Sequence, residues 1–184
     1  MSPLEIHLWK RYHHGERRNY STQMSPSQQN LKQVIYVSSA VGLPLPEEIE
    51  RLLHVSRKHN EHDAISGLLL YHDGSFMQII EGSEDAVDAL FSRIRMDPLH
   101  RNIIKLHEGP TSGRLFPGWS MGFARPDTSK SSDKPSTLSF HDIRNDLAQI
   151  QRKDLRVGTL LDSYFRMFRT SYPLLGGFSA LQTL

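Results

Sequence analysis

Gly74-Ser75-Phe76-Met77-Gln78-Ile79-Ile80-Glu81-Gly82 reads as a β-strand entered from a turn. Side chains alternate along a strand, so Phe76, Gln78 and Ile80 share one face. An amide between two large apolar side chains needs a partner, because left unpaired in a core it costs roughly 1–3 kcal/mol. A bound ligand is the expected partner. The Asp73-Gly74 pair just upstream is a strong hairpin signal, so the spacing predicts that Ile65 to Tyr71 and Ser75 to Glu81 pair antiparallel.

Working outward, Val34 to Ser39 is rich in β-formers, and Leu43-Pro44-Leu45-Pro46 ends it before a helix that opens on Glu47 and Glu48. That helix is predicted to run to about His59, with Ile49, Leu52, Leu53 and Ser56 inward. Asn60 follows Ile49 by eleven residues, about three full turns, and is expected to point inward as well. Downstream, Ser83 stands at an N-cap position, Glu84 and Asp85 fill the first turn, and Val87, Leu90, Phe91 and Ile94 form an i, i+3, i+4, i+7 stripe. Asp97-Pro98 stops this second helix. Ile103 to Glu108 and Trp119 to Phe123 complete the sheet, and alternation would place Trp119, Met121 and Phe123 on one face. The order strand, helix, strand, strand, helix, strand, strand describes an α+β sandwich of ferredoxin-like type. Its mixed sheet has about five strands, and both helices cover one face to bury their stripes. The groove between those helices is the natural ligand slot. Tyr36 and Gln78 rise from its floor, Asn60 ends one wall, and Arg93 and Asp97 lie on or just after the other.

Composition excludes several classes. The chain has 184 residues, 38% of them hydrophobic, which suits one domain with appendages and leaves no room for a second catalytic domain. It has no cysteine, so disulfides, thiolate nucleophiles and cysteine metal sites are out. No apolar run approaches the ~20 residues of a membrane span, and Met1 to Lys10 has no signal-peptide core; a soluble cytoplasmic protein is expected. The net charge is +2 and basic residues are scattered, so no nucleic-acid role is expected. The βαββαβ order also suits RNA-recognition folds, but Phe76-Met77-Gln78 stands where stacking aromatics and basic residues would be needed. His59 and His62 are three apart with no converging third ligand, which argues against a metal. No Walker motif, nucleophile elbow or dinucleotide fingerprint is present, and Gly176-Gly177 lacks a strand-turn-helix setting; an enzyme is not expected.

The organisation read from the sequence is a basic, polar extension over 1–30, expected to be largely disordered, a core over 31–126 and a linker over 127–139. A helical pair over 140–172 and a tail over 173–184 complete the chain. The first helix of the pair carries Ile143, Leu147 and Ile150; the second carries Val157, Leu160, Leu161, Tyr164, Phe165 and Phe168. So broad an apolar face must cover the sheet opposite the ligand groove or a second subunit, and a homo-oligomer is expected.

From roughly Gln33 to Phe123 the chain resembles the BLUF family of flavin-based blue-light sensors. The first strand is carried by Tyr36-Val37-Ser38-Ser39, the helix-to-strand junction by Ser56 through Asn60 and Ile65-Ser66-Gly67, and the third strand by Phe76-Met77-Gln78 through Glu81-Gly82. Asp97-Pro98 with His100, then Phe116-Pro117-Gly118-Trp119-Ser120-Met121, completes the set. The resemblance implies noncovalent FAD between the two helices; FAD rather than FMN or riboflavin comes from the family alone. It also implies electron donation from Tyr36 to the photoexcited flavin, proton movement through the Gln78 amide, and an amide left rotated or tautomerised. A Gln side chain can both donate and accept. Trp119 and Met121 would relay the change through the last strand to the C-terminal helices and a downstream partner protein. Asn60, His59, Ser56, Arg93, Asp97 and His100 align with positions near the ring or its ribityl chain. The family often carries an arginine just before the His100 position; here it is Leu99. The competing reading is a ferredoxin-like interaction module without flavin, in which Tyr36, Trp119 and Met121 are ordinary core and Asn60 caps a helix.

Overall fold

Two strands, β1 (Leu31–Ala40) and β3 (Ser75–Ser83), pair antiparallel within the sheet, with Tyr36 opposite Gln78. Val34, Ile35, Met77, Ile79 and Ile80 are all buried, so layers lie on both sides of these strands. β2 (Ser66–His72) joins β3 across Asp73-Gly74, both at positive φ (45° and 75°), the backbone a two-residue hairpin turn requires. On the other side β4 (His100–Pro110) runs antiparallel to β1 as the edge strand. β5 (Gly122–Arg125) adds parallel to β2, and β6 (Thr137–Ser139) parallel to β5, giving the order β4-β1-β3-β2-β5-β6. The computed structural model describes residues 30–125 and 137–167. The expectations for residues 1–29, for most of the linker, for Phe168 and for the tail lie outside them. A sixth strand is added to the about five expected: the last three residues of the predicted linker pair with the free edge of β5, a tertiary contact with no local periodicity.

Helix α1 (Pro46–His62) starts where the sequence places it, with the Leu45 N–H donating to Glu48 Oε2 at 2.9 Å, and runs one turn past His59. Helix α2 (Glu84–Arg95) begins after Ser83, whose backbone is extended as a cap residue's is but whose hydroxyl makes no capping bond. Asp97 ends the turn by accepting the Leu99 N–H at 2.9 Å. On one face of the sheet, Ile49 and Leu53 of α1 and Val87, Leu90 and Phe91 of α2 pack with Val34, Tyr36, Phe76 and Ile80. On the other, Ile143 and Ile150 of α3 (Phe140–Lys153) and Val157, Leu161, Tyr164 and Phe165 of α4 (Leu155–Met167) cover Ile35, Leu68, Leu70, Met77 and Ile79. The fold is therefore an α+β ferredoxin-like sandwich with the C-terminal helices opposite α1 and α2, as the sequence predicts.

One element differs. The extended run expected over Trp119 to Phe123 begins only at Gly122, because the Trp119 N–H turns back to Phe116 O at 3.1 Å. Without extended backbone the alternation fails. Met121 and Phe123 face α1 and α2, whereas Trp119 packs on the opposite side against Phe116, ring centroids 5.7 Å apart and nearly parallel. Gly122 permits this: a Cβ there would lie 2.6 Å from the Trp119 ring.

Candidate functional site

Tyr36 on β1 and Gln78 on β3 are cross-strand neighbours on the face toward α1 and α2, so pairing alone brings their side chains together. The phenol donates a hydrogen bond to Gln78 Oε1, and Gln78 Nε2 donates to the Met121 sulfur at 3.2 Å. Tyr36 is wholly buried, which raises its phenol well above the ordinary tyrosine range, and the Asp97 carboxylate adds to the rise. Thioether sulfur is a weak acceptor, so the amide N–H group holds donor capacity toward a better acceptor in the groove. Phe91 packs against the Tyr36 ring, centroids 5.5 Å apart, and Phe76 lies 5.1 Å from the His100 ring.

Asn60 is buried as expected, but it turns to the loop before β5: Nδ2 donates to Ser120 O at 2.6 Å. Arg57, one turn earlier, donates from Nε to Met121 O at 2.9 Å, so α1 grips this loop at two consecutive carbonyls. Ser56 is half-buried on α1, and His59 Nδ1 lies 2.8 Å from Val55 O on its own helix. Arg93 of α2 pairs with Asp63 at the end of α1 (3.3 Å). Burial alone would raise the Asp63 carboxyl, but hydrogen bonds from His62 and Arg93 carry it below its usual value. His100 Nδ1 lies 2.8 Å from Ser38 Oγ; burial lowers its pKa, while Asp97 pulls the other way.

The two helices sit on the sheet differently. Helix α2 lies close on β1, β3 and β4, whereas α1 makes no comparable close approach to any strand or to α2. Beside α1 lies a cavity of about 200 Å³ lined by Ala40, Leu43, Ile49, Leu52, Phe76 and His100. Tyr36 and Gln78 do not line it; they are buried beneath the helices, with the Tyr36 ring 6.3 Å from the His100 ring of the cavity wall. An apolar cavity with an imidazole at its wall and a phenol and an amide close behind is the kind of setting a flat heteroaromatic ring with a hydrogen-bonding edge takes.

Sequence reasoning thus places Tyr36, Gln78 and Met121 in one contact and Asn60 one residue away from it. Trp119 is not among them. Arg57 and Ser38, which bond to Met121 and His100, were missed, as was a role for the buried Glu81, which lies outside the site on the other face of β3. Arg57 and Ser38 act through partners more than 60 residues distant in the chain, Met121 and His100, which no local pattern reveals. Glu81 did carry a signal: a carboxylate in phase with Met77 and Ile79 on a buried strand face.

A family model described as "BLUF: Sensors of blue-light using FAD" matches residues 31–122. The photoactivated adenylate cyclase subunit beta of Euglena gracilis is 30% identical over 121 residues, 63% of this chain but 14% of that protein. The dark-state structure of BlrB, a BLUF protein, matches with a TM-score of 0.54 at 28% identity, covering 78% of this chain and 98% of the other. BlrP1 of Klebsiella pneumoniae, solved with FMN and cyclic diGMP, matches with a TM-score of 0.57 at 27% identity, covering 78% of this chain and 37% of the other.

Proposed function

Because the chain belongs to the BLUF family of sensors of blue light using FAD, we propose that it binds FAD noncovalently between α1 and α2 and converts light absorption into a change of contacts around Gln78. The observation that carries this reading is the continuous chain Tyr36 O–H to Gln78 Oε1 and Gln78 Nε2 to Met121 sulfur on the sheet face that α1 and α2 cover. Asn60, His59, Ser56, Arg93, Asp97 and His100 would line the ring and its ribityl chain, and the apolar residues of both helices would hold its faces. When bound, a flavin supplies blue absorption and a one-electron oxidant in its excited state. Tyr36 is suited to respond because its phenol is neutral, buried and already hydrogen-bonded to an acceptor for its proton. Gln78, once rotated or tautomerised, can no longer serve Tyr36 and Met121 in the same way, so the amide records the event without a covalent product. Met121 then loses its partner while Ser120 and Met121 stay gripped by Asn60 and Arg57, and the strain passes into β5 and the helices behind it.

The chain spans 14% of the curated cyclase relative, and its output is read as contact with a separate partner protein rather than an activity of its own. A homo-oligomer and a cytoplasmic setting belong to the same reading; no helix among the described residues is long and apolar enough to cross a membrane. Chromatography of flavin released from the purified protein tests the cofactor. FAD is the expected species; FMN would correct the cofactor, and failure to carry or take up any flavin would favour the flavin-free interaction module.

A further inference from the structure

Beyond Gln78, β3 carries a second buried polar side chain, on the opposite face and outside the photochemical chain. Glu81 is fully buried, and its carboxylate accepts from Gln33 Nε2 (2.9 Å), from the Leu115 N–H (3.0 and 3.1 Å to its two oxygens) and from the Phe116 N–H (3.2 Å). Ser66 Oγ lies 3.5 Å away. Every neighbour is a donor, the set an ionised carboxylate takes. Arg114 closes the cluster: its guanidinium donates to Ser66 Oγ (2.9 Å), Glu81 O (2.7 Å) and Ala64 O (2.6 Å). The peptide that leaves this cluster is Phe116 to Met121. Its near end, Phe116 and Trp119, packs with Ile143 and Ile150 of α3; its far end, Met121, touches Gln78. Glu81 therefore ties the start of that segment to the strand whose other face holds the photoactive amide, three residues away.

We infer that Glu81 is the pivot of signal transfer, a positioning residue that fixes Leu115 and Phe116 so that a displacement of Met121 arrives at Trp119 and α3 instead of dissipating in the loop. This rests on the proposed photochemistry and deepens it. The bonds dictate the mechanics. A segment held at one end by hydrogen bonds from two backbone N–H groups to a buried carboxylate, and at the other by Asn60 and Arg57, has few ways to respond to a push at Met121. Without the carboxylate the near end is loose, and the push is absorbed there.

The test uses the full chain with Trp9→Phe, which leaves Trp119 as the single indole of the two in the sequence. Glu81→Gln keeps the shape but turns an N–H toward the Leu115, Phe116 or Gln33 donors. The flavin red shift in blue light should persist, whereas the light-induced change in Trp119 fluorescence should be lost. A Trp119 response equal to the parent's would overturn the inference. Should Glu81→Gln fail to fold, amide exchange in the parent decides: Leu115 and Phe116 should exchange slowly and equally in dark and light, and exchange as fast as exposed amides in either state would remove the pivot. A parent that shows no red shift at all would instead bring down the photochemical reading, and this inference with it.

Discussion

At the residue scale, Gln78 was legible because a strand face of Phe76, Gln78 and Ile80 cannot hold an amide cheaply, and the structure places Tyr36 and Met121 against it. Replacing Gln78 with Leu nearly keeps the volume and removes the amide. The variant is expected to stay yellow and lose the light-induced spectral shift, and a normal photocycle in it would refute the switch assignment. Tyr36→Phe should likewise keep the flavin and lose the productive reaction, since the phenol is gone; illumination with absorption detection reads both. Burial of Tyr36, helped by Asp97, also has a pH consequence. In the unfolded chain this phenol ionises near pH 10, whereas in the folded protein it stays neutral above that. The stability tied to it is thus whole below about pH 10 and declines as pH rises further. Urea titrations on either side of pH 10 should show that decline, and Tyr36→Phe should make it shallower. Trp119 was read onto the wrong face because alternation assumes extended backbone, and the Phe116–Trp119 turn breaks it. Arg57 and Arg114 were invisible for a different reason: each takes its role from carbonyls or hydroxyls far along the chain.

At the scale of elements, α2 was read nearly to the residue because its apolar stripe, acidic first turn and terminating Asp97-Pro98 agree with one another. β6 was not, since three residues gain their strand geometry only from the edge of β5. The C-terminal pair was legible as two stripes, but the closeness of its crossing was not. A Cβ on Gly158 of α4 would lie 2.1 Å from Gln151 Cγ and 2.9 Å from Gln151 Cα on α3. The side chain can move aside; the Cα cannot. Gly158→Ala gains up to about 1 kcal/mol of helix propensity, against an overpacking cost of about 1–3 kcal/mol, so a net loss of about 1 kcal/mol is expected. Thermal unfolding should show it while the flavin spectrum stays unchanged, because α3 and α4 lie across the sheet from Gln78. A stabilised variant would mean that the helices separate without cost.

For the whole molecule, the sheet with a helical layer on each face was predictable from which stripes needed cover, and the sandwich is built that way. Burial decides which layer covers which face. Division of labour between the faces gives a direct expectation. Removing all residues after Phe123 should leave flavin binding largely intact, because every slot residue precedes that point, but it bares Leu68, Leu70, Met77 and Ile79 and should make the shortened protein self-associate. Flavin content and sedimentation measure the two effects, and a truncated core unable to take up FAD would contradict the division. The central claim is that this chain is a flavin photoreceptor switched through Gln78. Its most direct test is the absorption spectrum of the purified protein in darkness, under blue light and during recovery in the dark. A bound-flavin spectrum that shifts slightly to the red and then returns is the predicted result; a protein that stays colourless after incubation with FAD, or holds flavin with no shift, would contradict it.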